Sequence, residues 1–146
     1  MKMDTKAHLI PDGFEEFESH APYAAEHGPY YEKQIDEGTV VRAFRVEEKH
    51  LNSLGYVHGG MYMTFADSSL ARAIFVKHNR RGVTLKMNSE FLAPAKKGDW
   101  VEAHTEVIRS TRSVAFVRGE LKVGNRVVFR MDGLFHYIKA DVTKGL

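Results

Sequence analysis

Asn52-Ser53-Leu54-Gly55-Tyr56-Val57-His58-Gly59-Gly60-Met61-Tyr62-Met63-Thr64-Phe65-Ala66-Asp67-Ser68-Ser69-Leu70-Ala71 is the stretch whose reading decides the fold. A loop carrying Asn52 runs into His58-Gly59-Gly60, and apolar residues at helical spacing follow to about His78, which predicts one long helix. The glycines open it. There the first backbone N–H groups lack intrahelical partners and share the positive end of the macrodipole, so they can receive a negative oxygen. With Met63 as origin and about 100° per residue, Ala66, Leu70 and Ile74 fall within roughly 60° of it, and Asp67 lies among them. A carboxylate inside the buried stripe of a helix is costly unless it is paired or used. Taken singly, Gly-Gly is backbone permissiveness, His58 a turn cap, and Asp67 an acceptor for a neighbouring loop. The conjunction of Asn, His-Gly-Gly and a carboxylate at this spacing is what points to chemistry.

Outward from the helix, residues 39–47 read as a strand, with Val40, Phe44 and Val46 on one side and Arg42 as the exception. After an Asn79-Arg80-Arg81-Gly82 turn, Val83, Leu85 and Met87 alternate with Thr84, Lys86 and Asn88 until Pro94 and Gly98 end the pattern. Residues 100–108 alternate again. Residues 114–123 and 126–138 flank the two-residue turn Gly124-Asn125, and Val127, Phe129, Met131, Phe135 and Tyr137 line the last strand. Upstream, Asp12 caps a pattern of Phe14, Phe17 and Ala21 that Pro22 stops, which predicts a short helix; residues 1–11 are a loose terminus. Tyr23, Tyr30 and Tyr31 cluster around Gly28-Pro29, where they either pack that helix onto the body or line an entrance. Short connections between the last strands favour antiparallel neighbours, and one long helix is available to cover their apolar face. The class is α+β. Phe65, Phe75 and Val76 lie on the back of the helix, which predicts a second subunit to cover them.

The pattern Asn52-x-x-Gly55-x-x-His58-Gly59-Gly60 followed by Asp67 resembles the signature of hotdog-fold acyl-CoA thioesterases, nearest the phenylacetyl-CoA thioesterase-like branch. The likeness continues through Gly82-Val83-Thr84-Leu85-Lys86-Met87-Asn88 and Pro94-Ala95-Lys96-Lys97-Gly98, and covers residues 38–138. It implies the hotdog fold: an antiparallel sheet of about five strands wrapped around the central helix. Residues 1–37 are then an extension with the short helix, and 38–146 the thioesterase domain.

The resemblance also implies roles. The Gly59 amide polarises the thioester carbonyl, and Asp67 acts as general base or as nucleophile. The Thr84 hydroxyl assists, His58 and Asn52 hold the loop and the attacking water, and Gly60 adjoins the substrate. Alternation alone puts Thr84 opposite Val83 and Leu85, so this role requires it to act at the strand's start. Arg80, Arg81, Arg109 and Arg112 sit in predicted turns; singly they are solvated charge, and as a set they suit the phosphates of coenzyme A. The partners implied are an acyl-CoA substrate and further copies of the chain, as a dimer or a tetramer of paired dimers. Within a dimer the asparagine and His-Gly-Gly come from one subunit, and the aspartate and threonine from its mate. No cofactor is implied. The alternative is a non-catalytic acyl-CoA-binding or sensing protein, and a hotdog dehydratase or hydratase is a lesser third. Tyr56, Tyr62 and Phe65 hint at an aromatic or medium-chain acyl group.

Composition bounds the rest. At 146 residues, with 43% hydrophobic and 27% charged residues, the chain makes one domain with a substantial core. A net charge of +2 gives nucleic-acid binding no electrostatic support. The absence of cysteine excludes disulfides, thiolate catalysis and cysteine zinc sites. His50, His78, His104 and His136 form neither an i, i+4 pair nor a His-Glu-x-x-His pattern, so no metal is expected. There is no Gly-x-Ser-x-Gly elbow and no dinucleotide fingerprint. With no signal-peptide pattern and no membrane-length apolar run, the expectation is a cytoplasmic protein that does not enter a membrane.

Overall fold

The long helix is closed at both ends by the residue that caps it. His58 accepts a hydrogen bond from the Gly60 amide at the N-terminus, and Asn79 takes the left-handed conformation (φ 54°) at the C-terminus, its amide donating to the Phe75 carbonyl. The computed structural model describes residues 9–139. Of the terminus expected over 1–11, residues 1–8 lie outside the described residues. In chain order the elements are β1 (Glu15–Phe17), α1 (Pro22–His27), β2 (Tyr30–Asp36), β3 (Thr39–Arg45), a 3-10 turn (Glu48–His50), α2 (Gly59–His78), β4 (Gly82–Phe91), β5 (Trp100–Ser110), β6 (Val114–Val123) and β7 (Arg126–Tyr137).

The strands form one antiparallel sheet in the order β1-β2-β3-β5-β6-β7-β4, wrapped around α2 as the hotdog arrangement requires. Met61, Tyr62, Phe65, Ala66, Ser69, Leu70, Ala73 and Ile74 form the helix's buried stripe. They pack against Phe44, Val101, Ala115, Val117, Leu121, Phe129 and Phe135 from the strands. Each large apolar side chain buried this way contributes about 1.5–3 kcal/mol. Among the described residues no helix is long and apolar enough to cross a membrane.

Three expectations are corrected. The sheet has seven strands rather than about five, because β1 and β2 extend it beyond β3. The helix expected over 12–21 is a turn and a strand. Gly13 holds φ 88°, which no helix tolerates, and residues 15–17 pair with 30–32. Phe14 meets Trp100 edge-on at 5.3 Å, and Phe17 lies 4.4 Å from the Arg72 guanidinium, so both rings find partners without helical spacing. The short helix starts at the residue expected to stop one: Pro22 has no N–H to lose at the first helical position. The expected boundary between residues 37 and 38 falls in the β2–β3 turn, where Asp36 Oδ1 accepts from the Gly38 amide at 2.9 Å.

The third correction concerns Phe65. It is fully buried, stacked on Tyr30 and edge-on to Phe44, because the sheet curls far enough to reach it. Phe75 is half-buried, with the Arg72 and Arg81 guanidinium groups at 5.6 and 5.0 Å from its ring. The back of α2 therefore does not by itself demand a second subunit. Of the sheet's two edges, β1 has three residues, whereas β4 has ten and leaves Val83 and Leu85 about half exposed.

Candidate functional site

Asn52 builds the approach to the helix. Its side-chain Oδ1 accepts from the amides of Leu54 (3.0 Å) and Tyr56 (3.1 Å), and its own amide donates to the Tyr56 carbonyl, closing a tight loop at Gly55 (φ 84°). Val57 then donates to the Ala95 carbonyl, and His58 to the His50 carbonyl.

At the helix N-terminus the donors are used unequally. Gly60 N–H donates to His58 Nδ1 at 2.8 Å, and Met61 and Tyr62 donate to the His58 carbonyl. Gly59 N–H alone of these four has no acceptor among the described residues. Both glycines are there for space. A Cβ on Gly60 would stand 2.9 Å from His58 Nδ1 and displace the cap, while one on Gly59 would stand 3.1 Å from the Phe91 ring. Gly60, expected to bind substrate, has its N–H committed to His58.

Asp67 lies on the flank of α2, half-buried beside the fully buried Ala66. Thr84 Oγ1 donates to Asp67 Oδ1 at 2.5 Å. The pairing depends on an irregularity: the β4–β7 register shifts between Thr84 and Lys86, so Thr84 reaches the helix while Val83 and Leu85 stay about half exposed. The pair opens into a cleft of about 550 Å³, walled by Tyr23, Tyr30, Met63, Thr64, Leu85 and Met87. Of the tyrosines around Gly28-Pro29, Tyr23 lines the cleft, its hydroxyl bonded with Thr64 Oγ1 at 3.1 Å. Tyr30 is buried, so it both lines the cleft and packs the core. Sequence patterning missed Ser68 and Met87, which nothing distinguished from ordinary helix and strand residues.

Behind the cleft Arg42 reaches the turn that follows Asp67. It donates to Ser68 Oγ (2.8 Å) and Ser69 Oγ (3.1 Å), with Glu32 at 3.8 Å. Burial pulls its pKa down to about 10 and Glu32 opposes the shift, so the guanidinium stays charged at neutral pH. Arg72 holds Glu32 through two bonds of 2.6 and 3.1 Å. The pair is partly exposed, so it adds only modestly to stability; through Glu32 and Arg42 it ties the turn after Asp67 to β2 and β3.

The remaining candidates separate. Arg80 donates to the Thr111 and Arg112 carbonyls and stacks on Tyr137 at 3.5 Å, so its guanidinium is occupied. Arg81 lies over Phe75. Arg109, expected in a turn, lies near the end of β5, and Arg112 follows in the turn that Arg80 reaches; both are exposed. Tyr62 is a core residue: burial raises its pKa to about 12, and its hydroxyl donates to the Ala93 carbonyl. Tyr56 is 45% exposed at the loop. A larger hollow, about 770 Å³, lies on the outer face of the sheet. Its charges pair with one another, Glu106 with Arg118 and Glu90 with Arg130, which marks a solvated face.

Known proteins resemble this chain in sequence and fold. The family model of the thioesterase superfamily matches residues 54–129, which holds the Gly59 helix, Asp67 and Thr84. A Pseudomonas aeruginosa protein provisionally named an esterase is 33% identical over 129 residues, 87% of this chain and 96% of that one. Human acyl-coenzyme A thioesterase 13 is 31% identical over 85 residues, 58% of this chain and 61% of that protein. Among solved structures, a mutant of the phenylacetic acid degradation protein PaaI from Thermus thermophilus superposes with a TM-score of 0.72. It has 25% identity, and the match covers 81% of this chain and all of that one.

Proposed function

The chain belongs to the thioesterase superfamily, and from that premise we propose that it hydrolyses acyl-CoA thioesters at sites shared between two copies of itself. One observation carries the proposal: the free Gly59 amide and the Asp67–Thr84 pair stand on one rigid helix eight residues apart, about 12 Å along its axis. Reacting atoms must approach to about 3–3.5 Å, so one thioester carbon cannot meet both in a single chain. Two copies joined by a two-fold at the open edge of β4 set their α2 helices antiparallel. Gly59 of one chain then faces Asp67 of the other, giving two equivalent sites.

In that site the thioester oxygen lies against the Gly59 N–H at the positive helix end. As an oxygen attacks the carbonyl carbon, the charge that develops is held by that donor, worth about 3 kcal/mol in the transition state. The Asp67 carboxylate either takes the proton of the attacking water or attacks the carbon itself. Thr84 occupies one carboxylate oxygen and so aims the other. Collapse breaks the C–S bond, and the coenzyme leaves as thiolate. His58 and Asn52 hold the loop that presents Gly59, and the exposure of Arg109 and Arg112 supports the coenzyme's phosphates as their partners. A protein that only bound acyl-CoA would have no use for a carboxylate hydrogen-bonded at the mouth of an apolar-walled cleft.

The test is a panel of aryl and straight-chain acyl-CoAs with released thiol as the readout; the cysteine-free chain adds no background. The wild type should release thiol, and Asp67→Asn should lose kcat by about 10² or more with KM little changed. No release from any substrate refutes the activity. An asparagine variant with most of its kcat refutes the role of Asp67.

A further inference from the structure

His50 is buried, and both ring nitrogens are engaged in opposite senses. The Glu47 amide donates to Nδ1 at 2.9 Å, so Nδ1 carries no proton. The proton is therefore on Nε2, which donates to the His27 carbonyl at 2.7 Å. The first bond closes the 3-10 turn from which the Asn52–His58 loop departs, and the His58 amide returns to the His50 carbonyl at 2.8 Å. The second bond satisfies a carbonyl at the C-terminal end of α1, where helices leave acceptors unpaired.

That contact matters because α1 has little else. Its six residues include none that is buried, and its N-cap Ala21 offers no side-chain bond. Among the described residues its other side-chain ties to the body are Tyr23 OH with Thr64 Oγ1 and the packing of Ala24 on the core. Yet Tyr23 and Ala24 form one wall of the Asp67 cleft.

We propose that His50 is a positioning residue that clamps the cleft-wall helix α1 to the loop carrying Asn52 and His58. This rests on the thioesterase reading for its catalytic meaning, since it ties the wall of this chain's Asp67 half-site to the loop that presents its Gly59 to the other shared site. The groups facing the ring are Glu47 and Lys49 from its own turn, His27 from α1, and the Phe44 ring of β3 packed edge-on at 5.0 Å. A proton on Nδ1 would set a donor against the Glu47 N–H and release the loop side while keeping the α1 side. Burial lowers the His50 pKa, and the bond to the His27 carbonyl only partly offsets this. The clamp is therefore whole above the ordinary histidine range, and its contribution is lost as pH falls through the lowered folded value.

Two isosteres split the ring's functions. His50→Asn keeps an acceptor near Nδ1 and removes the reach to α1; His50→Gln keeps a donor near Nε2 and removes the acceptor. Amide hydrogen exchange at neutral pH reads both. His50→Asn should speed exchange at Ala25 and Gly28 about tenfold and leave Glu47 protected, and His50→Gln should do the reverse. In thiol release, His50→Asn should lower kcat/KM for bulky acyl-CoAs at least several-fold more than for acetyl-CoA, which barely reaches the α1 wall. If both variants loosen both segments together, or neither segment moves, His50 is only core filling and the clamp is refuted. If the exchange pattern separates as described but the wild type releases no thiol, the clamp stands and the proposed activity fails.

Discussion

Gly59→Ala and Gly60→Ala are neighbouring, chemically identical changes for which the structure requires opposite outcomes. Neither glycine has positive φ, so alanine is backbone-compatible at both, with a propensity gain of up to about 1 kcal/mol. At Gly59 the new methyl would stand 3.1 Å from Cε1 of Phe91, a ring 56% exposed that can swing by a few tenths of an ångström. Stability should stay within about 1 kcal/mol, or roughly 3 °C in Tm for a domain of this size. The methyl and the displaced ring, however, crowd the approach to the free amide. Losing one such donor costs about 10²–10³ in kcat. At Gly60 the methyl would stand 2.9 Å from His58 Nδ1, and the imidazole must leave. The lost cap costs about 1 kcal/mol, partly offset by propensity, while Gly59 N–H is untouched; kcat should fall by about tenfold at most. Thiol release from a preferred acyl-CoA, with thermal melts alongside, reads both effects. If Gly60→Ala suffers the large loss of kcat while Gly59→Ala works nearly normally, the carbonyl does not bind at the Gly59 amide.

Asn52→Ala and Asp67→Ala should each be inactive, yet unfolding, mixing and refolding them together should restore about a quarter of wild-type activity: about half the dimers are mixed, each with one intact site of two. A dead mixture, with mixed dimers shown to be present, refutes the shared site. Raising salt should raise KM for acyl-CoA more than it lowers kcat, and Arg109→Gln with Arg112→Gln should remove that response. N-acetylcysteamine thioesters should lack it from the start, and equal salt sensitivity for both substrate types would take the phosphates away from those arginines.

How far the sequence carried depended on whether the deciding interaction was local. The caps of α2 and the Gly124-Asn125 hairpin are matters of adjacent residues, and the long helix and the last three strands could be read from them. Pro22 shows the limit. A proline ends one helix as readily as it begins the next, and only the pairing of β1 with β2, a contact between residues well separated in the chain, decides which. The same holds for Phe65, whose burial depends on how far the sheet curls.

The site follows that division. Gly59 and Asp67 stood out in the sequence as a helix opening and a misplaced carboxylate, but strand alternation set Thr84 on the wrong face. The register shift after Thr84 turns it toward Asp67, and no periodicity contains that shift. A break in local pattern at the point where the chemistry is placed is what a functional site imposes on a fold. The separation of about 12 Å between the free amide and the carboxylate belongs to the same logic. A rigid helix cannot bring its first turn to its third, so on the shared-site proposal a chain that folded perfectly alone would still hold two half-sites. In the proposed dimer, the open edge of β4 sets the helix opening of one chain where the other chain's carboxylate already waits.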